Sequence, residues 1–244
     1  MIPKKIHYCW FGTMDKPSQV CEYIGTWKNN FPDWEIIEWN EKNVNIDLQP
    51  RYVQEAYKCK KYAFVSDYIR LWALNTYGGL YLDTDVEVLR NFEDKLTNAV
   101  IVVCFEHPHG LSTGIIAAEP EQLCLEKFME TYQTRSFITE AGRLDLTTIN
   151  ERFNVIMQEQ GVDLTYEHEQ NLDNGIKVYT SDVFSAFDMK HWHEKVTVST
   201  YSVHHMAGSW VNKKNGVKQY LILLCRKILG IDLTDKIQDW FTKG

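Results

Sequence analysis

The sequence predicts an α/β fold with a parallel sheet, organised as one domain over residues 1–244. Three observations carry that reading. The apolar and aromatic run "KKIHYCWFG" stops at Gly12 and reads as a strand followed by a loop. "DKPSQVCEYIGTWKNNFPDW" then reads as a short helix ending near Asn29 and Asn30, ahead of Pro32, and "EIIEWN" as a second strand. Strand, helix, strand in that order favours parallel pairing with a crossover. Third, 244 residues with 44% hydrophobic and 24% charged side chains suit a soluble globular chain long enough for one large domain. No repeat, low-complexity segment or linker divides it.

The remaining elements follow in order. "KCKKYAFVSDYIRLWALNTYGG" predicts a helix with Ala63, Phe64, Val65, Tyr68, Ile69, Leu71, Trp72, Ala73 and Leu74 on nearly every face, so the helix is expected to be buried. Gly78 and Gly79 suit its C-terminal cap. "LYLDTDVEVL" and "NAVIVVCFE" read as strands, and the region from about 120 to 160 as helical. "TVSTYSVHHMAGSW" holds a short strand and then a loop. "VKQYLILLCRKIL" predicts a terminal amphipathic helix at about 216–229. Val217, Tyr220, Leu221, Leu224 and Ile228 form its apolar stripe, beside Lys218, Arg226 and Lys227. Such a helix either docks on its own domain or lies at a lipid surface near a membrane-bound acceptor.

Charge and cysteine usage exclude some functions. A net charge of −7 gives no electrostatic footprint for nucleic acid. The six cysteines show no Cys-x-x-Cys spacing, which argues against a zinc site. The N-terminus lacks the apolar stretch of a signal peptide, and no run reaches the length of a membrane span. Free thiols in a cytoplasmic protein, in peripheral contact with the inner face of the membrane or not, fit these features.

The segment that carries chemistry is "GGLYLDTDVEV", with Asp83 and Asp85 two residues apart at the end of an apolar run. Fifteen aspartates in 244 residues produce about one Asp-x-Asp by chance, so the tripeptide decides nothing alone. In a regular strand Tyr81, Asp83, Asp85 and Glu87 would share one face. Three carboxylates on one face call for a cation, and hard oxygen ligands favour Mg²⁺ or Mn²⁺; the alternative is a polar strand end facing water. The preceding helix adds Asp67 and Arg70, three residues apart on one face of an otherwise apolar helix. Buried charges must be paired or ligand-bound, and Arg is suited to phosphate. They either pair with each other or face the carboxylates across a cleft at the C-terminal edge of the sheet, where α/β ligands bind.

Taken together, "IPKKIHYCWFG", "FVSDYIRLWALNTYGGLYLDTDVEV" and "HHMAGSW" resemble the glycosyltransferases of family 32, which carry a DXD sugar-binding motif. That family includes capsular polysaccharide transferases and fungal mannosyltransferases, and is related to the catalytic domains of clostridial glucosylating toxins. The resemblance is strongest over residues 1–90 and returns at 200–210. It implies a GT-A fold: a nucleotide-diphospho-sugar transferase domain with a mostly parallel sheet flanked by helices. It also implies a nucleotide-sugar donor, a UDP-sugar ahead of GDP-mannose, with Mn²⁺ or Mg²⁺ as cofactor. Asp85 is then expected to bind the metal directly, and Asp83 to contact ribose or the metal through water. Asp67 and Arg70 would grip the donor sugar and phosphate, Trp10 would stack on the base, and Ser66 would close the pocket floor. From the C-terminal motif, His205 is favoured over His204 as a metal or phosphate ligand. Ser209 and Trp210 would donate hydrogen bonds to the diphosphate, with Gly208 suiting a mobile lid.

The expected reaction is metal-dependent transfer of a sugar, with retention, to a saccharide or a lipid-linked oligosaccharide in polysaccharide or capsule biosynthesis. Two other readings stand beside it. "LYLDTDVEV" also comes close to the strand-end motif of haloacid dehalogenase-type phosphatases, although Glu87 stands where Thr or Val is wanted. A non-catalytic protein that binds sugar nucleotides on the same fold is the other.

Overall fold

The computed structural model describes residues 1–106, 110–188, 191 and 193–206. The elements are β1 (Lys5–Cys9), α1 (Ser18–Asn30), β2 (Glu35–Trp39), α2 (Arg51–Lys58), α3 (Tyr62–Tyr77), β3 (Gly79–Leu82) and β4 (Val86–Val88). They continue as α4 (Glu93–Leu96), β5 (Ile101–Glu106), β6 (Gly110–Leu111), β7 (Ile115–Ala118), α5 (Leu123–Glu130) and α6 (Ile149–Glu159). The last are β8 (Gln170–Asn171), β9 (Ile176–Tyr179), α7 (Ser181–Phe184), β10 (Phe187–Asp188), β11 (His193–Glu194) and β12 (Ser202–His204).

The central sheet runs β2-β1-β3-β7-β5-β9-β8, with β6 paired to β5. β1 pairs in parallel with β2 and β3, and β5 with β9, whereas β7 is antiparallel to both β3 and β5. The strands β2, β1, β3, β5 and β9 therefore point one way. This is the mostly parallel α/β sheet that the sequence predicts. Its central strands are covered on both faces. Tyr81, Ile101, Val103, Ile116 and Ala118 enter one core with α2, α3, α5 and α6, while Leu80, Leu82, Val102, Cys104, Ile115 and Ala117 enter the other with α1 and α7. That double burial is why β5 reads as an unbroken apolar run rather than an alternating one.

Two expectations need correction. The stretch from 120 to 160 is not one helical region: α5 and α6 are separated by a non-helical segment in which Ile138 bridges Leu144. "LYLDTDVEVL" is not one regular strand. The Val86 N–H bonds to the Asp83 carbonyl at 3.0 Å, a tight turn, and β4 leaves the sheet to pair antiparallel with β12. Asp83, Asp85 and Glu87 thus do not share a strand face. The predicted helix at about 216–229 lies outside the described residues. Of the cysteines described, Cys9, Cys21, Cys59, Cys104 and Cys124 are free thiols. No helix among the described residues is long and apolar enough to cross a membrane.

One buried histidine locks the start of β3. Gly78 ends α3 with a positive φ of 62°, which glycine adopts without steric penalty. Its carbonyl accepts from His7 Nε2 at 2.7 Å, and Trp39 Nε1 donates to His7 Nδ1 at 3.2 Å. One ring nitrogen must donate and the other accept, so His7 is held neutral. Burial lowers its pKa, against the opposing hydrogen bond to Gly78. The unfolded chain therefore binds the extra proton, and this contribution to stability is present above the unfolded pKa of about 6.5 and lost as pH falls below it. Urea denaturation at pH 7.5 and 5.5 should show the stability gap between wild type and His7→Asn shrinking at the lower pH. A gap that stays constant would contradict the neutral assignment.

Candidate active site

Asp83 follows β3 directly and Glu106 ends β5, so both lie at the C-terminal edge of the parallel strands. Between them, β7 begins just after Thr113 and Gly114, and the Asp83 N–H bonds to the Gly114 carbonyl at 2.8 Å. The turn after Asp83 sends the two aspartates to different partners. Asp83 accepts from Tyr81 Oη at 2.9 Å and from Arg70 Nη1 at 3.3 Å. Asp85 Oδ1 lies 3.2 Å from His204 Nε2, brought there by the β4–β12 pairing.

Asp67 and Arg70 are buried on α3, as the sequence predicts, and they are paired: Arg70 Nη2 donates to Asp67 Oδ1 at 2.9 Å. The pair also reaches the motif, because Arg70 Nη1 donates to Asp83 and, at 2.6 Å, to the Thr113 carbonyl. Arg70 therefore ties α3, β3 and the start of β7 together. Burial opposes its charge, but Asp83, Tyr81 and Asp67 outweigh burial and raise its pKa. Burial likewise pushes the Asp67 carboxyl up to about 6, against the pull of Arg70.

His204 is buried between two carboxylates. Its Nδ1 lies 2.8 Å from Glu106 Oε2, which also accepts from Ser112 Oγ at 2.5 Å. Burial works against charging the ring, yet Asp85 and Glu106 prevail and hold its pKa well above that of free imidazole. Asp83, Asp85 and His204 each offer one ligand atom, all within 4.8 Å of one another. Two carboxylates and one imidazole suit a divalent ion, and a carboxylate behind the far ring nitrogen orients a ligating histidine.

His205 is not part of this group, contrary to expectation. His205 follows β12 directly and its N–H bonds to the Asp85 carbonyl, so the strand alternation carries on and turns it to the side opposite His204. There its Nε2 lies 2.9 Å from Glu87 and its Nδ1 3.4 Å from Glu194, and its ring stacks on Tyr23 at 4.7 Å. Ser66 turns its hydroxyl back onto the Tyr62 carbonyl at 3.0 Å. Trp10 stands half-buried at the end of β1, with Nε1 donating to the Met14 carbonyl at 2.9 Å. Ser209, Trp210 and the expected lid lie outside the described residues.

Sequence reasoning missed Glu106, Ser112 and Gly114. Glu106 had a readable signal, since it is an acid closing a wholly apolar strand, the same cue that marks Asp83. Gly114 had none: its role is space. A Cβ there would sit 2.6 Å from His204 Cε1 and 2.9 Å from Asp83 Oδ2. Gly114→Ala should therefore push the histidine and the aspartate apart, costing about 1–3 kcal/mol of stability by overpacking. Thermal denaturation checks the stability loss, and a lower affinity for Mn²⁺ checks the displacement.

Residues 17–101 match the family model described as "Glycosyltransferase sugar-binding region containing DXD motif". The matched region contains Asp67, Arg70, Asp83 and Asp85, and the fold brings His204 to it from outside. A glycosyltransferase of Acanthamoeba polyphaga mimivirus is 34% identical over 131 residues, covering 49% of this chain and 51% of that protein. Inositol phosphoceramide mannosyltransferase 1 of Schizosaccharomyces pombe is 25% identical over 163 residues, covering 60% and 50%. The initiation-specific alpha-1,6-mannosyltransferase of Candida albicans is 25% identical over 129 residues, covering 49% and 33%. The chain spans about half or less of the length of these curated relatives. Among solved structures, a galactosyltransferase, LgtC, covers 90% of this chain and 94% of its own, at 11% identity and a TM-score of 0.39. That value carries no argument, and the α/β assignment rests on the sheet itself.

Proposed function

We propose that this chain transfers a sugar from a nucleoside-diphosphate donor to a saccharide acceptor, using a divalent ion held by Asp83, Asp85 and His204. The observation that carries the proposal is the convergence of those three ligands at the C-terminal edge of the sheet, within and beside the DXD region. The donor set fits Mn²⁺ or Mg²⁺, and Gly114 leaves open the space beside His204 and Asp83 that a side chain would fill. A bound ion would supply Lewis-acid stabilisation of the leaving diphosphate.

The chain's own residues prepare that site. Glu106 orients the His204 ring, and Arg70 offsets the charge of Asp83 and fixes its direction. Asp67 holds Arg70 in turn. Trp10 lies on the same sheet edge, where a base would stack. A UDP-sugar is the donor that the family resemblance favours, and the names of two relatives, both mannosyltransferases, support a mannose donor as the alternative. Retention, a saccharide or lipid-linked oligosaccharide acceptor, a role in polysaccharide assembly and peripheral membrane contact complete the proposal.

The test is turnover of a panel of UDP- and GDP-sugars with Mn²⁺, read as released nucleoside diphosphate, beside hydrolysis of a generic phosphate ester. Metal-dependent release from one nucleotide sugar supports the proposal. Ester hydrolysis with no nucleotide-sugar turnover would return the motif to the phosphatase reading.

A further inference from the structure

The hairpin β10–β11 carries a second group of metal-ligating side chains, separate from the DXD site. Asp188, His191 and His193 each offer one ligand atom, and these lie within 4.8 Å of one another. Strand pairing brings two of them together. Asp188 stands directly opposite His193 in the antiparallel register, so both side chains leave the same face with their Cβ atoms about 5 Å apart. The connecting stretch supplies the third: the His191 N–H bonds to Asp188 Oδ1 at 3.0 Å, and His191 Nδ1 lies 2.9 Å from Asp188 Oδ2.

The hydrogen bonding of His193 prepares it as a ligand. Its Nδ1 lies 2.8 Å from the Glu194 carbonyl oxygen. A carbonyl only accepts, so Nδ1 carries a proton there, which fixes the orientation of the ring. Metal-bound imidazoles are commonly held in this way, with the other ring N–H on a carbonyl. The Asp188 and His191 side chains are only 10% and 14% exposed, which limits competition from bulk water. Lys195 also lies 2.7 Å from Asp188 Oδ2, but its side chain is 60% exposed. A surface contact of that kind is worth about 0–1 kcal/mol, and a carboxylate has further lone pairs to offer.

We propose that Asp188, His191 and His193 bind a borderline divalent cation of the Zn²⁺ class, which clasps the hairpin. Two imidazoles and one carboxylate suit such an ion better than they suit Mg²⁺ or Ca²⁺, which seek oxygen. The spacing of the cysteines argued against zinc, but this set uses none of them. The same hairpin touches the residue next to the DXD site, with Glu194 on His205 Nδ1 and the Phe187 ring 6.5 Å from the His205 ring. The ion would thus steady the hairpin where it meets β12.

Equilibrium dialysis with Zn²⁺ tests this on the full chain carrying Asp85→Asn, which disables the first site. We expect one equivalent bound and a higher melting temperature with Zn²⁺ present, by mass action. Adding His193→Gln should weaken binding more than about a hundredfold and abolish the thermal shift. Asp188→Asn provides a second variant should His193→Gln fail to fold, as judged by circular dichroism. No bound Zn²⁺ in the parent would overturn the proposal. So would an equivalent that survives the substitution, since the free thiols of Cys21 and Cys59 would then be the candidate ligands.

Discussion

Asp85→Asn should lower metal-dependent sugar transfer by about a thousandfold or more, the larger end of what losing one transition-state charge contact costs. An amide oxygen is a weaker ligand for a hard cation than a carboxylate, and Asp85 is also the group facing His204. The sequence alone suggests that the change leaves stability unaltered or raises it, through relief of carboxylate repulsion. The structure revises that expectation. Arg70 already offsets Asp83, and His204 sits between Asp85 and Glu106. Removing the Asp85 charge takes away one partner of a buried histidine, so metal-free protein should lose about 1–3 kcal/mol. Turnover with saturating Mn²⁺ and urea denaturation in chelator read the two effects separately. Wild-type turnover in this variant would sink the assignment of Asp85.

Arg70→Ala should destabilise the fold by about 3–5 kcal/mol, because it strands buried Asp67 and leaves the Thr113 carbonyl without its donor. Arg70→Lys is the more informative change. One ammonium cannot span Asp67, Asp83 and the Thr113 carbonyl as a planar fork does. We expect at least about a hundredfold loss of turnover with Arg70→Lys, while the folded fraction measured by circular dichroism stays high. Normal turnover in the folded protein would reduce Arg70 to a structural strut.

Much of this site was legible in the sequence because buried charge is conspicuous in apolar surroundings. Asp67 and Arg70 stood out inside a helix that is apolar all round, and Asp83 at the end of a covered strand. The choice between histidines was not legible. His204 and His205 are adjacent and chemically identical, and only the pairing of β12 with β4 decides which one faces Asp85. The turn at Asp83–Val86 was hidden for a related reason: "DTDVEV" continues the strand alternation, and its break is set by a distant partner strand. The reversed direction of β7 was equally silent, since "GIIAAE" is apolar on both faces in either direction. Strand partners at long sequence separation are where local patterns run out.

The most direct test of the metal site is calorimetric titration with UDP, with and without Mn²⁺, of the wild type, His204→Ala and His205→Ala. The account predicts that wild-type binding needs the metal, that His204→Ala abolishes this dependence, and that His205→Ala keeps it. UDP binding equally well without a divalent ion, or metal dependence lost with His205→Ala but kept with His204→Ala, would contradict it.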